Sequence, residues 1–327
     1  MSKRKTRKRI VFVAIILILA LVILVSGLQI LESTSLSRNV EEPTRPSKTI
    51  HRDGQGYFPR QDITAVLVMG IDEEGVVKDS GSYRNTGEAD MVSLVVLDHT
   101  NRSYNILCLN RDTMVDMPVL GLGGKEAGTF KGQLALSHTY GSGLVDSAEN
   151  TRTTVSNLLY GLHIDYYVAM NMDAIGELND MVGGVTVNVT EDFSAVDPTI
   201  TKGTLTLDRE QAMTYVRSRK DVGTQLNLSR MERHKDYLCG LTTALLEKVN
   251  QSDNFAIRMY DNLTDYMVTD CSSKVVSSLL DRCAEYELQQ ILTVAGENVQ
   301  GEEYYEFYPD EDKLQLLVLE LFYEPKE

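Results

Sequence analysis

Two aspartates and a set of arginines carry the chemistry legible in this chain. Asp72 stands in Met-Gly-Ile-Asp and Asp90 in Ala-Asp-Met. Two carboxylates that leave room for water and phosphate oxygens are a common way to hold magnesium. Turn or cap aspartates are the plain alternative. Arg111 follows in Asn-Arg-Asp-Thr, where pairing with Asp112 on the surface is the simpler reading. Between positions 217 and 235 the chain gathers Arg217, Arg219, Lys220, Arg230, Arg233 and Lys235 against Asp221 and Glu232. A guanidinium is a planar fork of donors that fits phosphate and keeps its charge at any physiological pH. In a chain of net charge −15 such a cluster suggests a site for an anion, with a solvated basic face as the alternative.

Arg217 and Arg219, two apart, would point to different sides of a continuing helix, so both serve one site only if the helix ends there. Arg230, Arg233 and His234 are three and four apart. They fall on the first turns of a helix read as capped by Ser229, with Glu232 three residues on. Side chains and helix N-terminus could there act on one phosphate. Glycine-rich phosphate loops, a Ser-His-Asp order and zinc spacing are absent from the sequence.

The elements that must position these groups alternate. Apolar runs predict strands at 63–69, 91–97 and 104–109, the second and third joined by the turn Asp98–Arg102. Helices are expected at 147–160 (stopped by Gly161), at 173–182 and from the capping box of Asp208 and Gln211 through Val216. A further helix is expected from Ser229 to about Val249. Strands at 166–170 and 185–189 complete an α/β fold with a mixed, partly antiparallel central sheet flanked by helices. If the first two strands are neighbours, loop 73–89 brings Asp72 and Asp90 to one sheet edge.

Residues 1–9 are basic, and 10–31 run without a charge. About 20 apolar residues span a bilayer, and a signal peptide's apolar region is shorter, so 10–31 is read as a retained transmembrane helix. The basic flank stays inside and residue 32 onward lies outside, giving a single-pass cell-membrane protein with a cytoplasmic N-terminus. With the six cations of the tail set aside, the exported part carries −21, which excludes a nucleic-acid binder. Residues 32–60, polar and with Pro43, Pro46 and Pro59, read as a stalk. The main domain is expected over 61–249. Residues 250–327 are read as a helical extension, from the amphipathic stretch at 275–292 and the leucine-rich run 313–322. Cys108 reads as core; a Cys271–Cys283 bridge is left open.

In this order the motifs resemble the LytR-CpsA-Psr family of Gram-positive envelope proteins. The pieces are Val68–Asp72, Ala89–Val92, Asn110–Thr113, Tyr140–Gly141, Ile164–Val168, Gly183–Val185, Leu207–Ala212, Tyr215–Arg219 and Arg230–Arg233. The resemblance covers roughly 61–249 and implies a catalytic domain of that family. Its implied activity is transfer of a polyprenyl-pyrophosphate-linked glycopolymer, a teichoic acid or capsular polysaccharide, onto a muramic acid hydroxyl of peptidoglycan. The new bond is a phosphodiester. It further implies Mg2+ on Asp72 and Asp90, with Arg111, Arg217, Arg219 and Arg230 around the pyrophosphate; Arg233 and His234 are read as further substrate contacts from their place on the first helical turns. The catalytic base is Asp72 or Asp90 on this reading. The chain departs from the family pattern at Asn110 (usually proline), Gln133–Ala135 (usually Lys-Leu-Asn), Asn227 (usually aspartate) and His234 (usually glutamine). A polyprenyl-pyrophosphate phosphatase and a non-catalytic lipid-binding or regulatory protein are the other classes compatible with these residues.

Overall fold

The computed structural model describes residues 49–121, 124–218, 222–223, 226–251, 255, 258, 262–271, 286–302 and 304–326. The expected tail and transmembrane segment, most of the stalk, Arg219, Cys283 and residues 272–285 lie outside the described residues. The chain divides into two compact units. Within the described residues one, the sheet unit, holds 49–169, 268–271 and 289–326. The other, the helical unit, holds 170–267 and 286–288.

The sheet unit opens with the antiparallel pair β1 (Ile50–Arg52) and β2 (Gln55–Pro59). Then β3 (Ile63–Ile71), β4 (Ala89–Asp98) and β5 (Ser103–Leu109) form an antiparallel meander. The apolar residues of these strands run almost unbroken, because a strand covered on both faces has no solvent side to keep polar. The β4–β5 turn is fixed by Asp98, whose Oδ1 accepts the Asn101 amide at 2.8 Å. The hairpin of β6 (Met114–Leu120) and β7 (Glu126–Gln133) leaves its second strand exposed over 126–131. Helix α1 (Val145–Leu158) and β8 (Tyr166–Asn171) follow.

In the helical unit, α2 (Met172–Val182) is capped by Asn171, whose Oδ1 accepts the Ala174 amide at 3.2 Å. It ends at Gly183 with φ +85°, a left-handed conformation that glycine adopts without strain. β9 (Val185–Val189) and β10 (Gly203–Leu207) pair antiparallel. The expected capping box opens α3 (Arg209–Arg217), the Gln211 amide lying 2.9 Å from Asp208 Oδ1. Helix α4 (Leu226–Gln251) lies on β9 at Gly240, where an added Cβ would sit 2.2 Å from the Thr186 carbonyl oxygen.

The C-terminal part supplies β11 (Met267–Thr269), β12 (Glu287–Thr293), the hairpin β13 (Gly296–Gln300) and β14 (Tyr305–Pro309), helix α5 (Glu311–Phe322) and β15 (Tyr323–Pro325). The main sheet runs β11-β8-β3-β4-β5-β12, and a second sheet runs β1-β2-β15. Leu67, Met69, Leu94 and Leu107 of the main sheet share one core cluster with Ala148 and Val155 of α1 and Val318 and Phe322 of α5. Each of the leucine, methionine, valine and phenylalanine side chains contributes about 1.5–3 kcal/mol on burial.

Three expectations are corrected. Helix α4 starts at Leu226, so Ser229 lies inside its first turn and is not its cap. The segment from 286 is mostly strand with one helix. β12 takes the open edge of β5, whose unpaired backbone groups outweigh a helical spacing of leucines. The last part of the expected stalk is folded, because β2 brings Tyr57 and Phe58 into the small sheet with β15.

Candidate functional site

The sheet unit builds a charged cluster at one edge of β3–β4. The ladder pairs Gly70 with Met91 but Ile71 with Ala89, so Asp90 is the extra residue of a β-bulge. A bulge bends the strand and re-aims the side chain it carries. One residue further on, the Asp72 amide donates to the Glu88 carbonyl at 2.9 Å. Asp72 and Asp90 therefore lie within two residues of register on paired strands, despite the 17 residues between them.

Arg111 enters this edge from the turn after β5. Its side chain is 6% exposed. Nη1 pairs with Asp90, Nη2 donates to Glu88 Oε2 at 2.6 Å, and Nε lies 3.4 Å from Asp112 Oδ1. The surface pairing with Asp112 is thus one side of a three-carboxylate embrace. The turn itself is closed by Asn110, whose Oδ1 accepts the Asp112 amide at 3.0 Å while its carbonyl accepts the Thr113 amide at 3.0 Å. Asparagine there supplies an acceptor that proline's ring could not. Gln133 is equally employed: its amide donates to Asp112 Oδ1 at 2.9 Å and to the Tyr305 carbonyl at 2.8 Å. Both departures in this region are thereby wired into the turn that carries Arg111.

Loop 73–89 is anchored from outside the cluster. Asn85 Nδ2 donates to the carbonyls of His138 and Gly141, at 2.9 Å each. His138 holds Gly87: its Nδ1 lies 2.8 Å from the Gly87 carbonyl, and a carbonyl only accepts, so Nδ1 carries the proton. Burial pushes the His138 pKa below its ordinary value.

The helical unit places the other candidates. Arg217 is the last residue of α3 and is exposed; Ser218 has already turned to φ −58°, ψ 132°. The helix does end between the two arginines, and Arg219 lies outside the described residues. Arg230 is buried, at 1% exposure. Arg233 donates from Nε to the Tyr215 carbonyl at 2.9 Å, from Nη2 to the Ser218 carbonyl and from Nη1 to Glu191. His234 Nε2 lies 2.8 Å from the Val216 carbonyl. The last carbonyls of a helix have no partner within it, and here Arg233 and His234 supply donors to them. The guanidinium of Arg233 also lies 5.6 Å from the Phe193 ring, which stacks on Tyr215 at 5.5 Å. These two residues, expected as substrate contacts, hold the end of the helix that presents Arg217.

Sequence reading missed Glu88 and Glu191. Glu88 carried a usable signal, being two residues before Asp90 at the end of a strand. Glu191 carried none, because its contact with Arg233 spans 42 residues of chain. Among the described residues no three Asp, Glu, His or Cys side chains converge as a metal site. A magnesium ion keeps most of its shell for water and phosphate and takes one or two protein carboxylates, so Asp72 and Asp90 are a donor set of suitable number and hardness. A cavity of about 420 Å3 in the same unit, lined by Glu149, Arg152, His163 and Asp165 among others, includes none of the candidate residues.

The LytR_cpsA_psr family model matches residues 27–320. A teichoic acid transferase TagU of Enterococcus faecalis is 30% identical over 274 residues, covering 83% of this chain and 81% of its own length. TagU of Bacillus subtilis is 26% identical over 244 residues, with 73% and 72% covered. A solved structure described as TagT bound to LI-WTA superposes with a TM-score of 0.59 at 24% identity, covering 80% of this chain and 90% of that one. That likeness is one of fold.

Proposed function

Because the chain belongs to the LytR-CpsA-Psr family, we propose that it is an extracellular phosphotransferase that attaches a teichoic-acid-type glycopolymer to peptidoglycan. Its donor is a glycan on polyprenyl pyrophosphate. Residues 10–31 anchor it in the cell membrane. The observation that carries this reading is the bulged sheet edge, where Asp90, one residue out of register, meets the buried Arg111.

The chemistry asks little covalent work of the protein. An acceptor hydroxyl oxygen attacks the glycan-bearing phosphorus, its proton passing to a base. A new P–O bond forms, and the bond to the bridging oxygen breaks, releasing polyprenyl phosphate. Positioning and charge neutralisation dominate such transfers. Magnesium, held by Asp72 and Asp90, would supply charge neutralisation on the phosphate oxygens. Arg111 is proposed to bind one phosphoryl group, and its fixed turn limits the loss of side-chain freedom on binding. Arg217 and Arg230 are proposed as further anion ligands, with Asp72 or Asp90 as the group that takes the acceptor proton.

The test supplies a lipid-linked pyrophosphate donor, a peptidoglycan acceptor and magnesium to the full chain, with D90A and R230A alongside. Wild type should release polyprenyl phosphate and form a glycan–peptidoglycan product. D90A should lose about 100-fold or more, as for removal of a transition-state charge partner. Absence of released polyprenyl phosphate from every sample would refute the transferase. Release without the conjugate would assign a phosphatase instead.

A further inference from the structure

The surroundings of Arg111 are wrong for an anion site at rest. Three carboxylates contact one guanidinium, so the group that should attract phosphate is more than neutralised. The three are held unequally. Asp90 and Asp112 are 15% and 11% exposed, and Asp112 is tied further by Gln133. Glu88 is 37% exposed, and its only side-chain contact among those described is Arg111 Nη2. Its main chain is fixed independently, through the Asp72 amide, so the side chain can leave without disturbing the ladder.

We infer that the Glu88 carboxylate is the exchangeable counter-ion of Arg111: it occupies Nη2 until a phosphoryl oxygen of a diphosphate takes its place. A carboxylate oxygen and a phosphate oxygen are both anionic acceptors for the same Nη2–H, so the exchange keeps the hydrogen bond while changing its owner. Glu88 then acts as a specificity-determining residue. A singly charged anion gains nothing by displacing one negative group with another, whereas a diphosphate carrying its own divalent cation brings both the stronger acceptor and a compensating charge. The inference rests on the proposed placement of pyrophosphate at Arg111, and it needs no turnover to be examined.

The experiment is calorimetric titration of the full chain in detergent micelles with inorganic pyrophosphate, at fixed magnesium. The E88Q variant keeps the shape and removes the competing charge, and should bind pyrophosphate about tenfold more tightly, the scale of one partly screened charge contact. E297Q removes an exposed acid of β13 and should stay within about twofold of wild type, which separates a local effect from net charge. In an R111M background the Glu88 substitution should have no effect. If R111M fails to fold, R111K serves, and the gain from E88Q should then shrink. Equal or weaker binding by E88Q, or a gain that survives loss of Arg111, would overturn the inference. Tighter binding by E88Q in a protein that transfers no glycan would leave this inference standing and remove the transferase reading alone.

Discussion

Arg111 decides more than anion binding. A guanidinium that is 6% exposed and surrounded by carboxylates cannot be removed cleanly, because its loss leaves like charges facing one another. R111M should therefore lower stability by about 3 kcal/mol as well as abolish pyrophosphate binding. D90N should keep most of the stability and lose the proposed transfer activity. A thermal melt of the two variants side by side checks the contrast. His138 sets a pH limit of a different kind. Its folded pKa is depressed by burial, so the unfolded chain takes up the proton first as pH falls. The stability contributed by the neutral ring is whole above about pH 6.5 and declines below it. Urea midpoints at pH 7.5 and 5.5 should differ less in H138N than in wild type.

Helix ends and hairpins carry the next layer. Arg233 and His234 complete the C-terminal end of α3, and Arg233 is itself paired with Glu191 at 4% side-chain exposure. R233M should cost about 3–5 kcal/mol, the range for breaking one side of a buried pair. R233K should recover part of it, since an ammonium reaches one carbonyl at a time. Hydrogen exchange of the amides in 214–218 reads the local loss. Gly240 gives a sharper steric test. G240V would force α4 away from the Thr186 carbonyl and destabilise the helical unit by about 1–3 kcal/mol, measured as a lower denaturation midpoint. Most of this layer was legible beforehand. The capping box at Asp208 and the turn at Asp98–Arg102 both follow from local rules about which residue can complete which backbone group. What was not legible is long-range. The start of α4 three residues before Ser229 and the recruitment of 287–293 as a strand depend on partners elsewhere in the chain, which periodicity alone does not encode.

For the whole molecule, the same division holds between the candidate site residues and those that hold them. Asp72, Asp90 and Arg111 could be nominated because the ordered motifs that carry them resemble the family pattern. Glu88, Gln133 and Asn110 surround them for reasons that appear only once β3, β4 and the turn at 110–113 are assembled. The small sheet β1-β2-β15 adds a mechanical consequence. Residue 50 and residue 325 end in one three-stranded patch, with Tyr323 to Pro325 paired against Pro59 to Tyr57. A pull transmitted through the chain ahead of Ile50 arrives at β1 and β2, and β15 shares that load through antiparallel hydrogen bonds. Cutting the chain after Phe322 should therefore loosen residues more than 260 positions away, and a force applied at the N-terminal side should unzip β1 before it reaches the sheet that carries Asp90.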